Sequence, residues 1–207
     1  MKIKRASLSL GFLAVFWVLS AEAATFTVTK TADTADGACD ADCSLREAVI
    51  AANAAPGGDS INLPFGTFLL TRAGDGEDLS LTGDLDVTDD LSITGSGVAG
   101  ATVIDVDGAG DRLLHVLSGG VTLSSLVLKN GRVLDADGGA VLKTGPGNLT
   151  VSYCQVRNSI AQRGGGIALT NGNLILLDST VADNIANGSG GGVFQEGESL
   201  LIGNTTV

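Results

Sequence analysis

The sequence predicts an all-β chain wound as a parallel β-helix and closed at its N-terminal end by one short helix. Three observations carry this. Glycine runs recur at a fixed interval: Gly138-Gly139-Ala140-Val141, Gly164-Gly165-Gly166-Ile167 and Gly190-Gly191-Gly192-Val193 are spaced by 26 and 26 residues. Behind each run comes an alternating apolar segment, "NLTVSYCQV", "NLILLDSTV" and "SLLIGNTTV". A strand rises roughly 3.3 Å per residue, so one such interval traces a loop of roughly 85 Å at most, enough for one coil of three short strands and three bends.

From the N-terminus, Lys2, Lys4 and Arg5 precede an apolar stretch from Leu8 to Leu19, and Ala21-Glu22-Ala23 has the small residues of a cleavage site. This is the pattern of a secretory signal peptide over residues 1–23, with a retained membrane anchor as the alternative. No Cys follows the apolar stretch to carry a lipid. Cleavage turns 12 basic and 23 acidic residues into 9 and 22, a net charge of −13 on about 184 residues beginning at Ala24. That charge repels phosphate backbones and excludes nucleic acid as a partner. No second apolar stretch of membrane length follows, so no transmembrane span is expected after cleavage. A hydrophobic content of 44% against 17% charged residues argues for a packed core and against disorder.

Residues 24–60 are expected to form an N-terminal cap. Cys39 and Cys43 lie close enough in "GACDADCS" to join across a tight loop, which suits an oxidising compartment. Zinc is the other use of such a pair, but the sole histidine, His115, is distant in sequence. Ser44 and Glu47 have the spacing of a capping box. Leu45, Ala48, Val49 and Ala52 then line one face of a helix that Pro56-Gly57-Gly58 stops. Directly ahead of the strands, this helix is placed to cover the first coil, whose open edge would otherwise invite another strand.

Residues 61–207 are expected to form the coils. Val121, Leu123, Leu126, Leu128 and Asn130 match Leu149, Val151, Cys154, Val156 and Asn158 at an offset of 28 residues. Gly139, Gly165 and Gly191 mark bends, and Asn130, Asn158 and Asn184 are expected at one corner of successive coils, with their amides stacked in a ladder. Cys154 falls where Leu126 points inward and reads as a small buried hydrophobe. The sequence stops at "LLIGNTTV", in mid-coil, which predicts a truncated form, with a C-terminal continuation or a covering partner.

Residues Cys43–Ala48, reading "CSLREA", resemble the signature of the CSLREA domain, a bacterial N-terminal module. The resemblance extends through "TFTVTKTADTADGACDADCSLREAVIAANA", "DSINLPFGTFLLT" and "GDLDVTDDLSITGSG", about residues 25–97, and the motif is highly specific. Residues 121–207 resemble, more loosely, the repeats of polymorphic outer-membrane proteins and other right-handed β-helices. The resemblance implies a right-handed, pectin-lyase-like solenoid exported to the surface or surroundings of a bacterium, and implies little chemistry.

Many right-handed β-helices cleave acidic polysaccharides. Here Asp89-Asp90 is the only Asp-Asp pair, and no His-Gly or Arg-x-Lys follows it. After cleavage only Lys30, Lys129 and Lys143 remain among the lysines, and Tyr153 and four Phe among the aromatics. No residue stands out as catalytic, and His115 reads as a partly buried strand residue. Calcium is the one cofactor suggested, by Asp105, Asp107, Asp111, Asp135 and Asp137 on Gly-rich turns, though no complete calcium motif is present. These acids also suit plain solvated turns, as does the choice of no cofactor at all. The sequence therefore predicts a structural, adhesin-like surface-binding solenoid with a cell-surface or polysaccharide ligand. The alternative is a polysaccharide lyase or glycoside hydrolase whose active coils lie beyond Val207.

Overall fold

The computed structural model describes residues 22–106 and 110–207. The leader expected over residues 1–23 therefore lies, apart from Glu22 and Ala23, outside the described residues, and so does Asp107. The fold is the expected parallel β-helix, with one helix among the described residues.

Strand β1 (Thr25–Thr27) and helix α1 (Leu45–Ala54) come first. One coil then runs through β2 (Asp59–Asn62), β3 (Gly66–Leu69) and β4 (Leu85–Val87), and the next through β5 (Leu91–Thr94), β6 (Thr102–Asp105) and β7 (Leu114–Val116). A further coil comprises β8 (Val121–Ser124), β9 (Val127–Lys129) and β10 (Val141–Lys143). The following two gain an extra strand at the last bend: β11 (Asn148–Ser152), β12 (Gln155–Arg157), β13 (Ile160–Arg163) and β14 (Ile167–Leu169), then β15 (Asn173–Leu177), β16 (Thr180–Ala182), β17 (Ile185–Ser189) and β18 (Val193–Gln195). Strand β19 (Ser199–Gly203) begins another pass. The coils stack into three long parallel sheets ordered β1-β2-β5-β8-β11-β15-β19, β3-β6-β9-β12-β16 and β4-β7-β10-β14-β18, with β13-β17 as a fourth, short one.

Register explains the repeats. Val121 pairs with Leu149, and Leu123 with Val151, at the offset read from sequence. Val141, Ile167 and Val193 stack behind the three glycine runs. Inward columns such as Ile61, Ile93, Leu123, Val151 and Leu176 form one buried core. Cys154 lies in it as a free, buried thiol, and burial pushes its pKa up to about 11.

The bends differ from expectation in two details. The left-handed backbone belongs to Gly138, Gly164 and Gly190, the first glycine of each run. Gly139 and Gly165 are required for close approach instead: a Cβ on Gly139 would strike the carbonyl oxygen of Gly165, and one on Gly165 those of Ile185 and Gly191. Gly191 is less crowded. The second correction concerns the corner. Asn130 and Asn158 adopt φ of 67° and 57°, but the next left-handed residue is Asp183 at 58°, not Asn184. Arg157 pairs with Ala182, so corners here are 25 residues apart; a bulge between Ala161/Ala186 and Arg163/Ser189 then adds the residue that restores 26 at the glycines. Asn184 instead reaches back, accepting from the Ser159 N–H at 3.0 Å and donating to the Val156 carbonyl at 2.9 Å. Nor do these amides stack, since Asn130 donates to Asp105 at 2.7 Å. The amide ladder lies elsewhere: Asn173 donates to Asn148 at 2.9 Å, and the Ser199 hydroxyl donates to Asn173 at 2.6 Å.

Helix α1 packs against β1, β2 and β4, at the end where the sheets containing β1 and β4 begin. Its N-terminus is a capping box: the Ser44 hydroxyl accepts the Glu47 N–H at 3.1 Å, and the Glu47 carboxylate accepts the Ser44 N–H at 2.8 Å. Cys39 and Cys43 are joined by a disulfide. The cap shares its sheet with the coils, because Phe26 of β1 pairs with Ile61 of β2. Among the described residues no helix is long and apolar enough to cross a membrane.

Two outcomes test this architecture. Gly165→Ala should lower unfolding stability by about 2 kcal/mol or more, measured by denaturant titration, since backbone on both sides must move. Burial opposes ionisation of Glu47, but hydrogen bonds from Ser44, Thr34 and Asp36 prevail and hold its pKa at about 2. A lowered carboxyl pKa stabilises above the unfolded value and loses that contribution as pH falls through the folded one. Glu47→Gln should therefore cost about 1–3 kcal/mol at pH 7, with the difference from the parent closing as pH drops from 4.5 towards 2.

Candidate functional site

Parallel in-register stacking lines up the outward side chains as strictly as the inward ones. On the seven-stranded sheet, Thr25, Ser60, Ser92, Thr122 and Thr150 form one outward column, and Thr27, Asn62, Thr94, Ser124 and Ser152 a second. Successive members of a column are about 4.8 Å apart, so the face carries a regular double row of hydrogen-bonding groups. Further along, Ile175 and Leu201 continue the first column and end its polar character. A shallow groove runs along the first column, lined by Ser60, Ser92, Thr122 and Thr150 together with Asp90 and Asn148. Gly58 and Gly120 also line it. Tyr153, 66% exposed and left-handed at φ 54°, turns the corner beside Ser152 and gives the face an aromatic edge.

Asp59 borders the same groove and is only 2% exposed. One carboxylate oxygen accepts the Ala24 N–H at 2.7 Å, while the other is buried without a partner.

A second constellation lies where the cap meets the coils. Arg46, fully buried, is its keystone. Its guanidinium is paired with Asp33, Nε to Oδ1 at 2.6 Å and Nη2 to Oδ2 at 3.2 Å. It also donates to the carbonyls of Ser80 and Asp84, each at 3.0 Å, and of Gly83 at 2.8 Å. The loop between β3 and β4 is thereby clamped. Ser80, held at φ 56°, closes it with its N–H on Asp86 Oδ2 at 2.8 Å and its hydroxyl accepting the Asp86 N–H at 2.6 Å.

This clamp buries carboxylates. Burial, reinforced by Asp111, raises the pKa of Asp84 to about 6 against the opposing pull of Arg112 at 2.9 Å. Burial and then the charge of Asp84 raise that of Asp86 to about 7. Asp86 of β4 pairs in register with His115 of β7, a half-buried strand residue. Burial, with Arg112 adding to it, lowers the His115 pKa to about 4, leaving a neutral ring at neutral pH. Asp84 and Asp86 are 2% and 0% exposed.

Of the calcium candidates, Asp107 lies outside the described residues, and the other four are placed as follows. Asp105 is bound to Lys129 at 2.8 Å and to Asn130, and Asp137 is held by Arg163 at 2.6 Å. Asp111 lies against Arg112, and Asp111 and Asp135 share a separate open cleft. Sequence reasoning missed Arg46, the hydroxyl columns and the Asp86–His115 pairing. The first two had a signal, in "LREA" and in the alternating Ser, Thr and Asn of "SIN", "SIT", "TLS" and "TVS"; the third had none, because its members are 29 residues apart in sequence. Compared with models of protein families, with curated proteins and with solved structures, the chain matches none.

Arg46→Lys should cost about 2–4 kcal/mol in unfolding stability, because three mobile donors replace a planar fork at a buried ion pair. Hydrogen exchange should accelerate selectively over residues 80–84, whose carbonyls the guanidinium holds.

Proposed function

We propose that this chain is an exported, CSLREA-type β-solenoid that works as a rigid, adhesin-like binding module for a hydroxyl-rich cell-surface polysaccharide, without a catalytic site of its own. The double column of Ser, Thr and Asn side chains on one flat, grooved face carries the reading. Repeated hydroxyl and amide groups at a fixed spacing match a polymer whose own hydroxyls repeat, and Tyr153 at the edge offers a face on which a sugar ring can stack. The strongly acidic surface favours a neutral glycan over a polyanion.

The six residues of the CSLREA stretch each have a structural task, which supports assigning the cap to that module. Cys43 takes the disulfide, Ser44 and Glu47 the capping box, Leu45 and Ala48 the core, and Arg46 the loop clamp. Export gains support from Asp59. Cleavage after Ala23 converts the Ala24 N–H into an ammonium with three donors, which matches a buried carboxylate that now has one oxygen unpartnered.

Two measurements test the reading. Purified protein should be retained on neutral cell-wall polysaccharides such as cellulose or chitin, and Ser92→Ala with Thr122→Ala should weaken retention about tenfold, roughly 1.4 kcal/mol, without changing the fold. Release of unsaturated or reducing ends from pectate or alginate would refute the non-catalytic part. The exported form should begin at Ala24, read by mass spectrometry. A chain that starts there should be about 1.5–3 kcal/mol more stable than one retaining Glu22-Ala23, a difference that Asp59→Asn abolishes.

A further inference from the structure

We propose that Asp78, Asp86 and His115 form a binding site for one divalent transition-series cation, with zinc the best match. It is independent of the groove and of the polysaccharide reading. The three candidate ligand atoms lie within 4.8 Å of one another. His115 Nδ1 is 3.6 Å from Asp78 Oδ1 and 3.7 Å from Asp86 Oδ1. These separations are too long for direct hydrogen bonds. Two ligands on one tetrahedral zinc sit about 3.3 Å apart, given metal–ligand bonds of about 2.0–2.1 Å. The two nitrogen–oxygen separations exceed that by a few tenths of an ångström, the two carboxylates are within 4.8 Å of each other, and Asp78, whose side chain is 65% exposed, is free to supply the closing movement.

The atoms that do not face the site are already held, which is what a ligand set requires of its surroundings. Asp86 Oδ2 accepts the Ser80 N–H at 2.8 Å. Asp86 Oδ1, on a side chain with no exposed surface, has no hydrogen-bond partner and points at the His115 ring. His115 Nε2 lies 3.1 Å from the Thr144 hydroxyl, so donation to that oxygen leaves Nδ1 with its lone pair towards the carboxylates. An orphaned buried oxygen and an imidazole nitrogen with its opposite edge fixed thus meet beside a mobile carboxylate.

Charge and ligand type select the cation. Arg112, whose charge reaches His115, is engaged by Asp84 at 2.9 Å and by Asp111 at 3.6 Å, so two carboxylates offset it. One nitrogen and two or three oxygens suit zinc, whereas calcium asks for six to eight oxygens. Three protein ligands leave a position for water on the open side of Asp78. A cation here would tie the β3–β4 loop that carries Asp78 to strands of two successive coils, β4 and β7.

The experiment is a zinc titration of the full protein after treatment with EDTA and dialysis, read by calorimetry and by the NMR signals of His115, the only histidine in the chain. One equivalent of zinc should bind at micromolar or tighter affinity, shift the imidazole signals and raise the melting midpoint, and EDTA should reverse all three. Asp78→Asn, on an exposed side chain that cannot compromise folding, should weaken binding at least tenfold, and Asp86→Asn and His115→Gln should abolish it. Absence of saturable binding would overturn the site. So would binding that leaves the His115 signals unmoved or persists at full strength in Asp78→Asn. Preference for calcium over zinc would overturn the assignment of the cation.

Discussion

Every feature of this molecule depends on one constraint: each coil must hydrogen-bond in register to the coils before and after it. Strands here are three to five residues long, too short to be stable alone. They persist because each backbone rung is shared with two neighbours and because the inward positions of successive coils form continuous apolar columns. The constraint tolerates coils of unequal length only if the excess is discharged at the bends. The large insertion between β3 and β4, the extra strands β13 and β17, and the one-residue bulge before the last glycine run all serve that need.

The same constraint leaves a problem at the first coil, which has no coil beneath it among the described residues. The solution is assembled almost wholly from residues 24–54. Strand β1 extends the largest sheet by one rung, and α1 lies across its neighbours with Leu45, Ala48, Val49 and Ala52 turned into the common core. Arg46 and Glu47 are buried on the same helix, each satisfied by several partners, so the cap is joined to the insertion loop by polar contacts as well as by packing. A buried ion pair of this kind contributes specificity of fit more than net stability. It fixes one position of the loop, and hence one position of Asp84 and Asp86.

Acidic residues are the chain's chief chemical resource, and the fold sorts them. Asp33, Asp105 and Asp137 are spent on Arg46, Lys129 and Arg163. Asp84, Asp86 and Asp111 are buried where charge is costly. Asp59 keeps an unsatisfied oxygen under the hydroxyl-bearing face. The polar rows on that face and Asp86 of β4 lie on different sheets, so the proposed polymer and cation sites can be separated by mutation.

Sequence alone determined the local and the periodic. Glycine intervals, alternation of apolar residues, the Ser44–Glu47 spacing and the Leu45–Ala52 stripe are short-range patterns, and each predicts an element without knowledge of its neighbours. The coil interval even placed Cys154 in the core. The tertiary structure decided whatever depends on register to a single residue. The shift of the corner from Asn184 to Asp183 needed a bulge that an interval of 26 conceals. The ladder on Asn148 and Asn173, and the meeting of Asp86 with His115, needed the stacking itself, because parallel pairing turns a separation of more than two dozen residues into contact. Arg46 was legible as a charged residue on an amphipathic helix, which ordinarily faces solvent. Only the loop folded over it, with three carbonyls to fill its donors, made burial the lower-energy choice.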